Sequence, residues 1–311
     1  MARRSGPKEP TIADEVREMA KGWRWGRRPV VPRSALPYAP PYEGRTYPTA
    51  WARTMGGRAA RAFLLKFGLR PVVWNETSPQ VHGLDNLEGV KGPVIFISNH
   101  SSHLDASIIM TTIPARFRDK TAVAAAKDYF FDVWWRSAFT ALVYAGFPIE
   151  RGGGAKATRQ AEDLLRDGWS LVVFPEGSRS VDGWVQRFRH GTSRLAIEME
   201  VPIVPISIRG AYAAMPRGRS WPRPGRQPIS VRYGRPLHPE REETHQQLSL
   251  RMMHAVAELW DEDETTWWEA RKRAARGETP KVSGPAGPQW LRTWEGTKSL
   301  PRRSPRPTWR P

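Results

Sequence analysis

Residues 94–97 read Val-Ile-Phe-Ile, a short apolar run preceded by Gly92-Pro93, which suits a strand buried on both faces in a parallel sheet. Comparable runs recur at residues 121–126, 170–174 and 203–208, with a further strand expected near 229–233. Between them lie segments of helical character at 155–167 and 191–200. Apolar strands alternating with helices make an α/β domain the economical fold. Residues 81–84 read as a strand or a turn. Residues 128–144 are apolar and aromatic but interrupted by Asp132 and Arg136, which favours a buried or interfacial helix over a membrane span. Residues 240–274 read as a charged, Trp-bearing helical stretch, and no internal repeat is present.

Two of the apolar runs break into polar turns. After residue 97 the chain reads Ser98-Asn99-His100 and is expected to enter a helix through Asp105, Ile108 and Ile109. Ends of buried strands are where α/β sheets place their chemistry. A carboxylate five residues after an imidazole, one helical turn past a strand end, can return to fix the tautomer of a His acting as general base. The same residues admit a plainer reading, in which Ser102 and Asp105 form a capping box and only satisfy helix amides. His100 and His103 also suggest a metal pair, but the chain has no Cys and no second His-rich cluster at ligand spacing, so no metal is expected. The second polar turn, residues 174–180, reads Phe-Pro-Glu-Gly-Ser-Arg-Ser. There Gly177 allows a tight turn, while Arg179 can hold a phosphate and Glu176 can bind a hydroxyl or lock that Arg. Taken alone, this turn fits better as a surface turn with a local Glu–Arg pair. Arg151, just past an apolar strand ending at Ile149, is ambiguous between a phosphate clamp and a solvated side chain.

Charge narrows the class of partner. A net charge of +18 and a pI near 10.8 call for an anionic partner: nucleic acid, anionic lipid or a phosphorylated substrate. No finger, RNP or basic-heptad signature is present, so nucleic acid is not expected. Fifteen Trp residues beside many Arg suit a membrane interface or base stacking. Residues 50–70 mix Trp51, Met55, Phe63, Leu64 and Phe67 with Arg53, Arg58, Arg61 and Lys66. They read either as a basic amphipathic helix on a membrane surface or as an ordinary helix packed on the domain, with Gly56-Gly57 weakening the helix. The absence of Cys removes a disulfide scaffold and a cysteine nucleophile. The first ten residues lack an apolar stretch behind their charges, so no secretory signal is expected, and no run of about 18 apolar residues marks a spanning helix. Residues 1–48 and 276–311 are rich in Pro and Arg and are read as largely disordered. The expected domain is therefore 49–270, with a basic tail at 271–311.

In chain order stand Asn99-His100-x4-Asp105, Gly146-Phe147-Pro148-Ile149-Glu150-Arg151, Phe174-Pro175-Glu176-Gly177-Ser178-Arg179 and Val201-Pro202-Ile203-Val204-Pro205-Ile206. This series, over residues 94–208, strongly resembles the glycerolipid and lysophospholipid acyltransferase family, of the 1-acylglycerol-3-phosphate acyltransferase kind. Phe188-Arg189-His190-Gly191 is similar to the segment before the family's last motif. The resemblance implies a single mixed, mostly parallel sheet flanked by helices. It implies that His100 is the general base, that Asp105 orients it, and that the acceptor hydroxyl attacks an acyl thioester with no acyl-enzyme. Arg151 would contact the acceptor's phosphate, Glu176, Gly177 and Arg179 would bind the acceptor, and residues 201–206 would line the acyl side of the pocket.

The expected donor is acyl-CoA or acyl-carrier protein, the acceptor a lysophospholipid, and no metal or cofactor is needed. Ser178 replaces the third motif's usual Thr, and Pro148 replaces a different residue in many members; neither touches the proposed base. The family's N-terminal membrane helices have no clear counterpart, so a peripheral or monotopic attachment to an anionic membrane, on its cytoplasmic face, is expected. Two rivals remain: the same chemistry on glycerol-3-phosphate or a glycolipid, and a basic membrane- or nucleic-acid-binding protein with a degenerate core, against which the intact motifs speak.

Overall fold

The computed structural model describes residues 11–13, 16–17, 47–149 and 155–301. Seven strands form one sheet: β1 (Thr77–His82), β2 (Ile95–Ser98), β3 (Thr121–Ala126), β4 (Phe147–Ile149), β5 (Ser170–Val173), β6 (Ile203–Arg209) and β7 (Gln227–Tyr233), in the order β1-β7-β6-β2-β5-β3-β4. Every neighbouring pair is parallel except β6–β7. The result is the mixed, mostly parallel sheet that the apolar runs and the motif order imply.

At the centre, Ile95 pairs with Leu171 on β5 and with Ile203 on β6. Strand alternation splits the core in two. Phe96, Val172 and Val204 meet Leu65, Val73, Ile108 and Ile109 on one face. On the other, Ile95, Ile97 and Leu171 meet Leu164, Leu195, Leu248 and Met252. The three middle strands are covered by helices on both sides, which is why they read as uninterrupted apolar runs.

Several expectations are refined. Residues 81–84 end β1 and turn at Gly83, which takes a left-handed backbone. The stretch 128–144 is two helices, Lys127–Phe130 and Trp134–Tyr144. Between them Asp132 folds its carboxylate onto the Val133 amide at 2.9 Å, a local bond that competes with helix continuation. In the 50–70 region a 3-10 turn, Ala50–Arg53, precedes a helix that runs from Met55–Phe63 through a π segment, Leu64–Leu69, into Arg70–Glu76. Gly57 is required there, because a Cβ would lie 2.6 Å from the Ala52 carbonyl oxygen. The helical stretch expected at 240–274 is resolved into His245–Glu264, opened by a Thr244–Gln247 capping box, and Trp267–Ala275.

The ordered chain also runs beyond 275. Composition marks 276–311 as largely disordered, yet residues up to 301 are described and include the helix Gln289–Gly296. Arg292 ties that helix to the domain by a 2.7 Å ion pair with Asp182, a pairing distant in sequence that composition does not register. The expected segment 1–48 and residues 302–311 fall almost wholly outside the described residues.

Candidate active site

Because β2 and β5 are parallel neighbours, their carboxyl ends emerge side by side, and the turns that follow them, at 98–103 and 174–180, are brought into contact. The first turn is pinned on both flanks. Asn99 exchanges two 2.8 Å hydrogen bonds with the backbone of Ile208 on β6. The Ser180 amide donates to the His100 carbonyl at 2.8 Å.

Asp105 sits in the first turn of the helix Leu104–Thr112 and is fully buried. Its Oδ2 accepts from the Ser101 and Ser102 amides at 2.7 and 2.8 Å, and lies 3.0 Å from His100 Nδ1. The two readings of this carboxylate are therefore both realised: it satisfies backbone amides and it holds the imidazole. The carboxylate at Nδ1 selects the tautomer protonated there and leaves Nε2 as a proton acceptor. The ring is also stacked on Phe174, 4.0 Å between centroids at 19°, so its plane is fixed from the β5 side. Its side chain is 19% exposed, enough for a substrate hydroxyl to reach it. Ser102, the other half of the supposed capping box, accepts from the Leu104 amide and donates to the Met215 carbonyl at 2.8 Å.

Glu176 is buried, and each of its oxygens accepts a backbone amide: His100 at 2.8 Å and Gln186 at 3.1 Å. Burial pushes its carboxyl well above the usual range, against the lowering effect of those two amides, with Asp105 and Asp182 adding to the rise. The Glu176 carboxylate is thereby held on the protein's own backbone, beneath the His100 turn. Gly177 has φ +75°, and a Cβ there would lie 2.8 Å from Arg189 Nε, so the turn needs glycine both for its backbone and for the Arg189 side chain laid across it.

Arg179 joins a positive field around His103. That ring stacks on Tyr129 at 5.5 Å and meets Phe130 edge-on, and its pKa is pushed down to about 3 by burial, then by Arg179, His100 and Arg217. His103 is therefore a neutral spacer at neutral pH, and among the described residues no cluster suited to hold a metal ion is present. Arg217 was not singled out by any motif. The only sequence signal for it was the basic composition of residues 217–226, and its proximity depends on the Ser102–Met215 bond that holds this loop against the turn after β2. β4 ends at Ile149 on the same sheet edge as β2 and β5, but Arg151 lies outside the described residues. Residues 201–206 enter the central strand β6, whose Ile203, Val204 and Ile206 are wholly buried.

Comparison with known proteins places these features in a family context. Residues 78–209 match the family model described as Acyltransferase. A 1-acyl-sn-glycerol-3-phosphate acyltransferase of Chlamydomonas reinhardtii is 32% identical over 152 residues, covering 48% of this chain and 44% of that protein. One from Limnanthes alba is 32% identical over 155 residues, covering 49% and 52%. The human 1-acyl-sn-glycerol-3-phosphate acyltransferase alpha is 35% identical over 119 residues, covering 37% and 40%. The chain thus spans about half or less of the length of these curated relatives. Among solved structures, the 1-acyl-sn-glycerophosphate acyltransferase of Thermotoga maritima superposes with a TM-score of 0.52 at 24% identity, covering 73% of this chain and 88% of that one, which supports the fold.

Proposed function

We propose that the chain, whose residues 78–209 match the acyltransferase family model, transfers a fatty acyl group from an acyl thioester to the free hydroxyl of 1-acyl-sn-glycerol-3-phosphate, giving phosphatidic acid. The observation that carries this reading is the His100–Asp105 pair, 3.0 Å apart at the mouth of two parallel strands with Arg179 and Arg217 close by. In this scheme His100 Nε2 removes the hydroxyl proton as the oxygen attacks the thioester carbonyl. The C–S bond then breaks and the thiolate takes the proton back, so the step balances without a metal or a redox cofactor. Asp105 steadies the imidazolium that forms in between. Arg179 supplies positive charge for the acceptor's phosphate, with Arg151 as a second phosphate contact. Glu176 supports the reaction through the His100 backbone, and Gly177 through the shape of the turn.

The same proposal includes a membrane surface as the place where a lipid acceptor is met. Among the described residues no helix is long and apolar enough to cross a membrane. The helices Met55–Phe63 and Trp134–Tyr144 pack together, and with the π segment Leu64–Leu69 they leave Met55, Phe63, Phe67, Trp134 and Phe139 more than half exposed. Arg58 and Lys66 lie among the first three, a combination suited to anionic headgroups above acyl chains. We place this face on the cytoplasmic leaflet as a peripheral or monotopic contact.

The test is thiol release from palmitoyl-CoA with and without 1-acyl-glycerol-3-phosphate, comparing wild type with His100→Ala. Acceptor-dependent release that disappears in the variant is the expected result. Acceptor-independent release, or full activity in the variant, overturns the mechanism.

A further inference from the structure

The chain beyond the family match does more than extend the fold: its helix Gln289–Gly296 is tied to the turn that holds the His100 backbone. Arg292, on the helix Gln289–Gly296, donates from Nε to Asp182 Oδ2 at 2.7 Å. The same guanidinium holds the Pro285 and Ser283 carbonyls at 3.0 and 2.7 Å, so it ties the whole preceding loop to that carboxylate. In return, Trp184 Nε1 donates to the Arg292 carbonyl at 3.0 Å, and the Val185 amide donates to Val282 at 3.1 Å. Gly296 lies against the Asp182 carbonyl so closely that a Cβ would come within 2.2 Å of it.

Asp182 is itself buried and organises the loop beneath. Its Oδ1 accepts from Ser180 Oγ at 2.9 Å and from the Trp184 amide at 3.2 Å. Two bonds run onward from this loop to His100. Ser180 donates its amide to the His100 carbonyl at 2.8 Å. Gln186 donates its amide to Glu176 Oε2, and Glu176 Oε1 accepts the His100 amide. Both backbone groups of His100 are therefore held by the 176–186 turn, and that turn is held by the C-terminal segment. The side-chain links from Arg292 through Asp182 to Ser180, and from Gln186 through Glu176 to His100, are buried or half-buried, where hydrogen bonds are strong and an unmade one is costly.

We infer that residues 280–296 are a positioning element of the active site, with Arg292 and Asp182 setting the placement of His100 through Ser180 and Glu176. This inference rests on the acyl-transfer reading of His100 given above. Arg292 and Asp182 touch no substrate; they act by fixing where the imidazole sits relative to the Asp105 carboxylate. Reaction rate is steep in such placement, since displacement of about an ångström costs up to roughly a hundredfold.

The experiment compares full-length wild type with Arg292→Ala, Arg292→Lys and Asp182→Asn, at a temperature well below the melting midpoint of each. Kinetics are measured with whichever acceptor the wild type uses, and the His100 imidazole is followed separately by NMR titration, assigned with His100→Ala. The expected outcome for Arg292→Ala is a fall of about tenfold in kcat, both KM values within about twofold, and a displaced His100 titration. Arg292→Lys should recover part of the rate, because it restores the charge on Asp182 but not the fork to Ser283 and Pro285. If kcat per folded molecule and the His100 titration are unchanged in Arg292→Ala and Asp182→Asn, the segment is structural only and the inference is wrong, whatever the melting midpoint does. A wild type with no acyl transfer would instead strike the functional reading, and the NMR comparison would still decide whether the relay reaches His100.

Discussion

Replacing Asp105 by Asn separates the two tasks of this carboxylate. Its Oδ2 takes three N–H donors, from Ser101, Ser102 and His100, while Oδ1 is buried without a partner. The two amides require an acceptor at the Oδ2 position, so the Asn carbonyl oxygen will occupy it and the imidazole will keep its proton on Nδ1. The tautomer survives, and what is lost is the negative charge beside the imidazolium. A hydrogen bond to a charged group is worth about 1.5–3 kcal/mol and a neutral one about 0.5–1.5, so the loss at His100 is about 1–1.5 kcal/mol. At about 1.4 kcal/mol per tenfold, kcat should fall by about five- to tenfold, with KM little changed.

Stability should fall too, because the two amide bonds weaken and the new NH2 enters a buried position with no acceptor. Together these cost about 3 kcal/mol or more. Asp105→Ala, which strands both amides, should melt at least as low and be slower still. Steady-state kinetics and thermal melts on the two variants suffice as the assay. A kcat for Asp105→Asn within about threefold of wild type would refute the role of the negative charge beside the imidazolium, and an unchanged melt for Asp105→Ala would refute the capping role.

Further outcomes follow from the same geometry. Gly177→Ala forces an L side chain into a left-handed backbone against Arg189 and should cost about 1–2 kcal/mol in denaturant unfolding; no loss would mean that the turn relaxes freely. For Glu176 the folded carboxyl holds its proton to higher pH than the unfolded chain, whose value is 4.5, so wild-type stability should decline as pH rises from there through the raised folded value. Glu176→Gln lacks this term, so its stability relative to wild type should improve with pH over that window, and parallel pH curves would contradict the assignment. Phe63→Glu with Phe67→Glu should weaken sedimentation with anionic vesicles while leaving turnover of a water-soluble short-chain acceptor intact. Arg151→Ala should raise KM for the phosphorylated acceptor more than it lowers kcat, and an unchanged KM would remove it from phosphate binding.

Much of this molecule is local enough to be read along the chain. The all-apolar runs mark the central strands because a strand covered on both faces has no polar position to spare. His100 and Asp105 are recognisable because a strand end and one helical turn span the five residues between them. The N-terminal helix was legible but its continuity was not, since Gly56-Gly57 argues against a helix until the backbone of Ala52 is seen pressed against Gly57. Glu176 illustrates the opposite case. Its motif suggests a group that meets substrate, yet its partners are amides at residues 100 and 186, which only the pairing of β2 with β5 brings to it.

The same division holds at the ends of the site and of the chain. Arg217 and Arg292 carry no periodicity or motif. Each gains its place from one long-range bond, Ser102 to Met215 for the first and Asp182 to the guanidinium for the second. Sequence alone determined the fold class and marked the pairing of His100 with Asp105, because apolar periodicity and short spacings are properties of neighbouring residues. Tertiary structure alone decided that the Glu176 carboxylate grips the His100 amide, and that part of a Pro- and Arg-rich segment folds into the helix Gln289–Gly296. Those outcomes depend on which buried polar groups find partners across the sheet, and a linear chain does not record that pairing.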